Sequence, residues 1–183
     1  MTPTEQLKED HQGIQLMLSI LEKVCQRLES GEKVDTGHLE KILEFIRVFA
    51  DKCHHGKEED LLFPAMERVG IPKEQGPIGV MLLEHGKGRD YVRGMNEAIA
   101  GYKRNEANAS SRFVENARNY IALLSQHIDK ENNILFPWGE RVLSEEQKKK
   151  LVEDFEKLEH ERIGEGKHEE FHELLRHLKN VYL

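Results

Sequence analysis

Histidine and glutamate recur four residues apart at two places in this chain, His54 with Glu58 and His127 with Glu131. Each pair is followed by Leu-Phe-Pro, at Leu62-Phe63-Pro64 and Leu135-Phe136-Pro137. A helix brings residues four apart onto one face, so each pair turns an imidazole and a carboxylate toward the same place. A lone histidine in an acidic, glycine-containing context precedes each pair, in Asp10-His11-Gln12-Gly13 and in Glu84-His85-Gly86. The paired histidines are 73 residues apart and the lone ones 74. The chain therefore reads as two copies of a helical hairpin, each contributing one lone His and one HxxxE.

The 183 residues suffice for one compact unit that buries about 70% of its unfolded surface, so the core needs no covalent staples. A formal charge of −7, with Lys and Arg dispersed among Asp and Glu, offers no basic stripe for nucleic acid or an anionic membrane. Cys25 and Cys53 are too few for a disulfide framework. No apolar run reaches the roughly eighteen residues that span a bilayer, and Met1-Thr2-Pro3-Thr4 does not open a signal peptide. A reducing, cytoplasmic setting is expected.

Apolar residues recur at helical spacing almost throughout, and no stretch alternates as a half-buried strand does, which predicts an all-α protein. Thr2-Pro3-Thr4-Glu5 combines an N-cap hydroxyl, a proline at the first helical position and a capping-box glutamate, so the first helix should start there and end at Gly31. The second should run from Thr36 to Val69 with a kink at Pro64. Gly70, Pro72, Gly76 and Pro77 form the hinge between the halves. The third helix is predicted over residues 77–104 and the fourth over 108–135, stopping before Pro137. Four long helices with short connections predict an up-down bundle over residues 1–140. Ser144-Glu145-Glu146-Gln147 opens a fifth helix, Gly164 and Gly166 end it, and a sixth carries His168 to Leu178. Residues 141–183 are thus expected to form a helical extension packed on the bundle.

The histidines lie inside the apolar stripes. Leu7, His11, Ile14 and Leu18 share a face; so do Leu43, Ile46, Ala50, His54, Glu58 and Leu61. Ile78, Leu82, His85 and Val92 form a third such face, and Phe113, Ala117, Tyr120, Leu124, His127, Glu131 and Leu135 a fourth. A single histidine on such a face is ordinarily a hydrogen-bonded core residue. Two buried carboxylates are different, because each costs several kcal/mol unpaired, roughly, and the two repel each other. Two divalent cations would neutralise Glu58 and Glu131 and take His11, His54, His85 and His127 as neutral donors. Imidazole and carboxylate without thiolate suit iron better than manganese or zinc, and a pair of iron ions with an oxo or hydroxo bridge is the expected cofactor.

These residues resemble the hemerythrin-like family, the HHE cation-binding domain, whose pattern is H, HxxxE, H, HxxxE on an up-down bundle. The resemblance covers residues 5 to about 140, including His54-His55-Gly56-Lys57-Glu58-Glu59 and both Leu-Phe-Pro segments. It implies a non-haem di-iron centre that binds or reacts with dioxygen, with His11, His54, Glu58, His85, His127 and Glu131 as its metal ligands. Two departures bear on activity. Oxygen carriers of the family place a further histidine four residues after the third-helix one, where this chain has Arg89. They also end the fourth-helix motif in an aspartate at the spacing of Asn132, whereas here the carboxylate is Glu131.

Arg89 should lie beside the inward face and pair with a carboxylate such as Glu59. His168 aligns with Phe171, Leu175 and Leu178 and is a better candidate than His160 for an added ligand; surface positions at a helical cap are the plain alternative. His55 and Glu59 sit one step off the ligand line, either bracing the ligands or facing solvent. Cys53 is either a soft ligand or a small core residue, Cys25 packs in the core, and Tyr120 either serves a bound ligand or fills the core.

The expected function is a protein that binds or senses dioxygen, or a related ligand such as nitric oxide or peroxide. Peroxide decomposition, nitric-oxide reduction, and iron handling or sensing are the alternatives, so turnover is left open. The face assignment predicts that His54→Ala and His127→Ala both lower the metal content of purified protein, measured by elemental analysis, while His38→Ala and His177→Ala leave it unchanged.

Overall fold

The computed structural model describes residues 1–183 and contains six helices and no strand. Helix α1 is Pro3–Glu29. Helix α2 covers residues 36–68, α3 is Pro77–Lys103 and α4 covers residues 109–142. Helices α5, Glu145–Arg162, and α6, Lys167–Tyr182, follow. The chain is an all-α bundle of α1 to α4 with two added C-terminal helices. None of the helices is long and apolar enough to cross a membrane.

The sequence signals set the helix ends. The Thr2 hydroxyl accepts from the Glu5 amide, and the Glu5 carboxylate accepts from the Thr2 amide at 2.7 Å. Ser144 and Gln147 repeat this reciprocal cap at the start of α5. Gly31, just past α1, takes φ of +84°, a left-handed conformation that a side chain would oppose.

Helices α2 and α4 depart from the α-helical expectation in the same way. In α2, π-helical stretches Ile46–His55 and Glu58–Leu62 separate α-helical Thr36–Phe45 from Phe63–Arg68. In α4, π-helical Glu131–Leu135 lies between Ala109–Lys130 and Phe136–Val142. Both Leu-Phe-Pro segments thus follow a wide turn. A proline inside an α-helix clashes with the carbonyl four residues back; a π turn displaces that carbonyl and lets the helix continue. Hence α4 does not stop before Pro137, as expected from sequence, but runs on to Val142. The extra residue per π turn also moves the buried position on α2 from Leu61 to Leu62.

The apolar core is divided. One cluster gathers Ile14 to Leu28 of α1, Leu39 to Ala50 of α2, Val92 to Ile99 of α3, Phe113 to Ile128 of α4, and Phe171, Leu175 and Leu178 of α6. A second joins Leu7, Leu62, Phe63, Met66, Ile78, Met81, Leu135 and Phe136 to Leu151 and Phe155 of α5. The gap between the clusters is polar: His11, His54 and His85 separate their members on α1, α2 and α3, and Glu131 does so on α4. The extension is bound to both clusters, and α5 lies against the back of α2. There the Arg162 guanidinium donates to the Lys52 carbonyl at 3.1 Å and pairs with Asp60. The Arg162 guanidinium lies over Gly56, where a Cβ would fall 2.3 Å from Nη1 and oblige this side chain to shift. With α5 in place, residues 53–58 are buried all round the helix.

Phe171 is 2% exposed and meets Phe45 edge to face at 5.5 Å. Phe171→Ala is expected to cost about 3–5 kcal/mol of stability, read from denaturant unfolding of metal-free protein.

Candidate metal centre

All six residues singled out from the sequence meet in the polar layer between the two apolar clusters. His11, His54, Glu58, His85, His127 and Glu131 are each no more than 2% exposed. Glu58 Oε1 lies 3.1 Å from His54 Nε2, and Glu58 Oε2 lies 3.1 Å from His85 Nε2. Glu131 Oε1 is 3.0 Å from His127 Nε2 and 3.4 Å from His11 Nε2. Each carboxylate thus faces the histidine of its own helix and the lone histidine of the other half. For Glu58 that second partner is His85, for Glu131 it is His11, so the two hairpins interlock.

The aromatic side chain of each Leu-Phe-Pro floors the site. Phe63 stacks on His85 at 6.1 Å and 19°, and Phe136 stacks on His11 at 5.6 Å and 7°. The π turn between the glutamate and this phenylalanine brings both to the layer.

Behind the imidazoles lies a second ring of groups. His54 Nδ1 donates to Asp10 at 3.1 Å, His85 Nδ1 to Glu59 at 2.7 Å, His127 Nδ1 to Glu84 at 3.0 Å, and His11 Nδ1 to the Asn132 amide oxygen at 2.7 Å. An oxygen that can only accept fixes the proton of a neutral imidazole on Nδ1, which leaves the Nε2 lone pair directed inward. Each outer carboxylate is itself paired with a cation. Lys57 lies 3.1 Å from Asp10, Arg89 lies 2.6 Å from Glu59, and Lys130 pairs with Glu84. The inner charge is then that of Glu58 and Glu131.

Inside the layer, His11 Nε2 and all four oxygens of Glu58 and Glu131 are buried without a hydrogen-bond partner. Leaving so many polar atoms orphaned is costly, and cations lying among them would satisfy every one. Two overlapping donor groups are present, His11, His54, Glu58 and Glu131, and His55, Glu58, His85 and His127. Within each, the donor atoms lie within 4.8 Å of one another. The donors fit a pair of cations sharing Glu58, each of whose oxygens faces a different group.

The carboxylates also favour protons on the imidazoles that face them. Burial opposes charge on His54, yet Glu58 and Asp10 outweigh it and raise its pKa to about 10. His85 responds likewise, burial being overcome by Glu58 and Glu59, and reaches about 9. Burial pushes the Glu58 carboxyl up, but His54 and His85 hold it well below the usual range.

His55 and Glu59, whose roles were open from sequence, take different places: His55 is in the layer, and Glu59 braces His85 from behind. Because π-helical turns are wide, His54 and His55 both point inward, which an α-helical wheel does not allow. Arg89 pairs with Glu59 as expected, and also with Asp51, and its side chain is 44% exposed. His168 is not at the site: its side chain is 42% exposed and lies 3.2 Å from Glu159. Its apolar neighbours in α6 pack on the bundle, but at a distance from the layer, against Phe45 and Phe49. His160 is exposed. Cys53 and Cys25 are buried free thiols whose pKa burial lifts to about 12, and neither belongs to a donor group. Tyr120 packs in the larger apolar cluster and lines a cavity of about 260 Å³ beside His55, His85 and Arg89.

Asp10→Asn and Glu84→Gln keep the shape of the outer ring while removing its charge. Each is expected to weaken metal binding by about 10- to 100-fold, measured by competition with a chelator of known affinity.

A family model described as the hemerythrin HHE cation-binding domain matches residues 2–139. An uncharacterised protein of Mycobacterium tuberculosis is 27% identical over 169 residues, which cover 91% of this chain and 64% of the relative. The iron-sulfur cluster repair protein YtfE of Yersinia pestis is 29% identical over 127 residues, covering 63% of this chain and 57% of YtfE. The chain thus accounts for less than two thirds of either relative's length. No solved structure matches it. Since the family match takes in most of its length, the chain belongs to the hemerythrin HHE cation-binding domain family.

Proposed function

We propose that the polar layer holds two iron ions, joined by an oxo or hydroxo bridge, and that the protein binds or senses dioxygen or a related small ligand there. Nitric oxide and peroxide are the related ligands. The observation that carries this reading is the set of orphaned buried atoms, His11 Nε2 and the four carboxylate oxygens, between two opposed donor groups. His11 and His54 would serve one ion and His85 and His127 the other, with Glu58 and Glu131 between them. Iron suits a donor set of imidazole and carboxylate without thiolate. When bound it supplies the electrons that dioxygen and its relatives require.

The residues around the layer suit retention of a small ligand. Four imidazoles and two carboxylates leave little negative charge on the ions. Phe63 and Phe136 close the site on the side of the smaller cluster, stacked on His85 and His11, and all six inner side chains are buried, so bulk water is held off. The cavity beside His85 has room for a diatomic molecule or peroxide.

Reduced protein, prepared without oxygen, is expected to develop a new visible absorption band on exposure to dioxygen. An unchanged spectrum in iron-loaded protein would count against this function. The similarity to YtfE, an iron-sulfur cluster repair protein, favours a second reading in which the protein handles iron for others. Quantitative transfer of its iron to an apoprotein acceptor, with no response to dioxygen, would select that reading.

Metal uptake must also displace protons from the imidazoles, since a ligating nitrogen carries none. With His54 and His85 raised to about 10 and about 9 by their carboxylate neighbours, the metal-free site holds protons at neutral pH. Metal affinity is therefore expected to rise with pH and fall in acid, with protons released on binding. Chelator competition across the neutral range measures it.

A further inference from the structure

We propose that His55 is a seventh ligand, serving the ion of His85 and His127 and supplying from α2 the imidazole that α3 lacks. This rests on the metal centre proposed above. The two halves correspond not only at the inner residues but also behind them. Asp10 backs His54 as Glu84 backs His127; Lys57 pairs with Asp10 as Lys130 pairs with Glu84; Glu59 backs His85 as Asn132 backs His11. Position 55 breaks the correspondence. Its counterpart, at the same distance from the second HxxxE, is Ile128, which is buried in the larger apolar cluster.

An imidazole where the duplicate has an isoleucine is accounted for by its surroundings. His55 is 5% exposed, and its Nδ1 donates to Asp51 at 3.1 Å. Asp51 is in turn held by Arg89 at 3.0 Å. This is the same sequence of imidazole, carboxylate and cation that stands behind His54, His85 and His127, and it leaves the His55 Nε2 lone pair free. The ring lies parallel to His85, with centroids 3.8 Å apart, and its donor falls within 4.8 Å of those of Glu58, His85 and His127. Arg89, standing where the oxygen carriers of the family have a histidine, braces Asp51 and Glu59 instead of reaching the layer. The cavity of about 260 Å³ runs along this side of the site, lined by His55, His85 and Arg89. The ion of His55 is thus the one that an outside ligand would meet.

Cobalt(II) loading of the apoprotein tests the assignment without reference to activity. His55→Phe keeps a buried ring stacked on His85 but has no donor, and His55→Cys offers a thiolate at the same place. With His55 as a ligand, the Phe variant is expected to bind its second ion at least about tenfold more weakly, and the Cys variant to gain a sulfur-to-cobalt charge-transfer band absent from wild type. Two ions held by the Phe variant with wild-type affinity, and no new band in the Cys variant, would overturn the assignment alone. Wild-type protein that takes up no cobalt would overturn the metal centre and this assignment with it.

Discussion

The structure depends on two carboxylates placed where water does not reach. Glu58 and Glu131 lie between apolar clusters with no hydrogen-bond partner on any of their four oxygens, and they face histidines on all four bundle helices. A hydrophobic bundle would be simpler to stabilise, since a buried charge repays its desolvation only with well-placed partners. Everything around the layer reduces that cost. The outer carboxylates fix the imidazoles, Lys57, Lys130 and Arg89 cancel the outer carboxylates, and cations in the middle would cancel the rest.

Duplication gives this arrangement its economy. One hairpin, used twice, provides a lone histidine, an acidic residue before it, an HxxxE pair, a lysine inside the pair and a phenylalanine beyond it. Each half completes the other, because Glu58 meets His85, Glu131 meets His11, and each phenylalanine stacks on a lone histidine across the bundle. The π turns belong to the same device. They carry the helix past its proline and set the glutamate and the phenylalanine, five residues apart, on the same side.

Much of this was legible in the residues. Apolar spacing and the caps at Thr2 and Ser144 gave the six helices, and the shared faces brought the six inner side chains together. What escaped was whatever depends on the π-helical register. A wheel with 3.6 residues per turn puts His55 beside the layer instead of in it, chooses Leu61 over Leu62, and treats Pro137 as a stop. The two alternatives for His168 stayed open for another reason. Its alignment with Phe171 and Leu175 showed that it lies on the packed side of α6, but not which end of the bundle α6 covers. The role of Asp10, Glu84 and Lys57 was hidden because a charged residue beside a motif looks like any solvated one until the neighbouring helix is placed.

Helix α5 covers only one of the two matching lysines. Lys57 is 3% exposed, with the Phe155 ring 5.8 Å below its ammonium and Glu159 at 4.0 Å, whereas Lys130 is 39% exposed. Dissolved ions screen a pair in contact with solvent and hardly affect one sealed under a helix. Two equal hairpins would hold two equivalent ions; a single added helix makes one half a fixed anchor and leaves its twin open to the ionic strength of the surroundings.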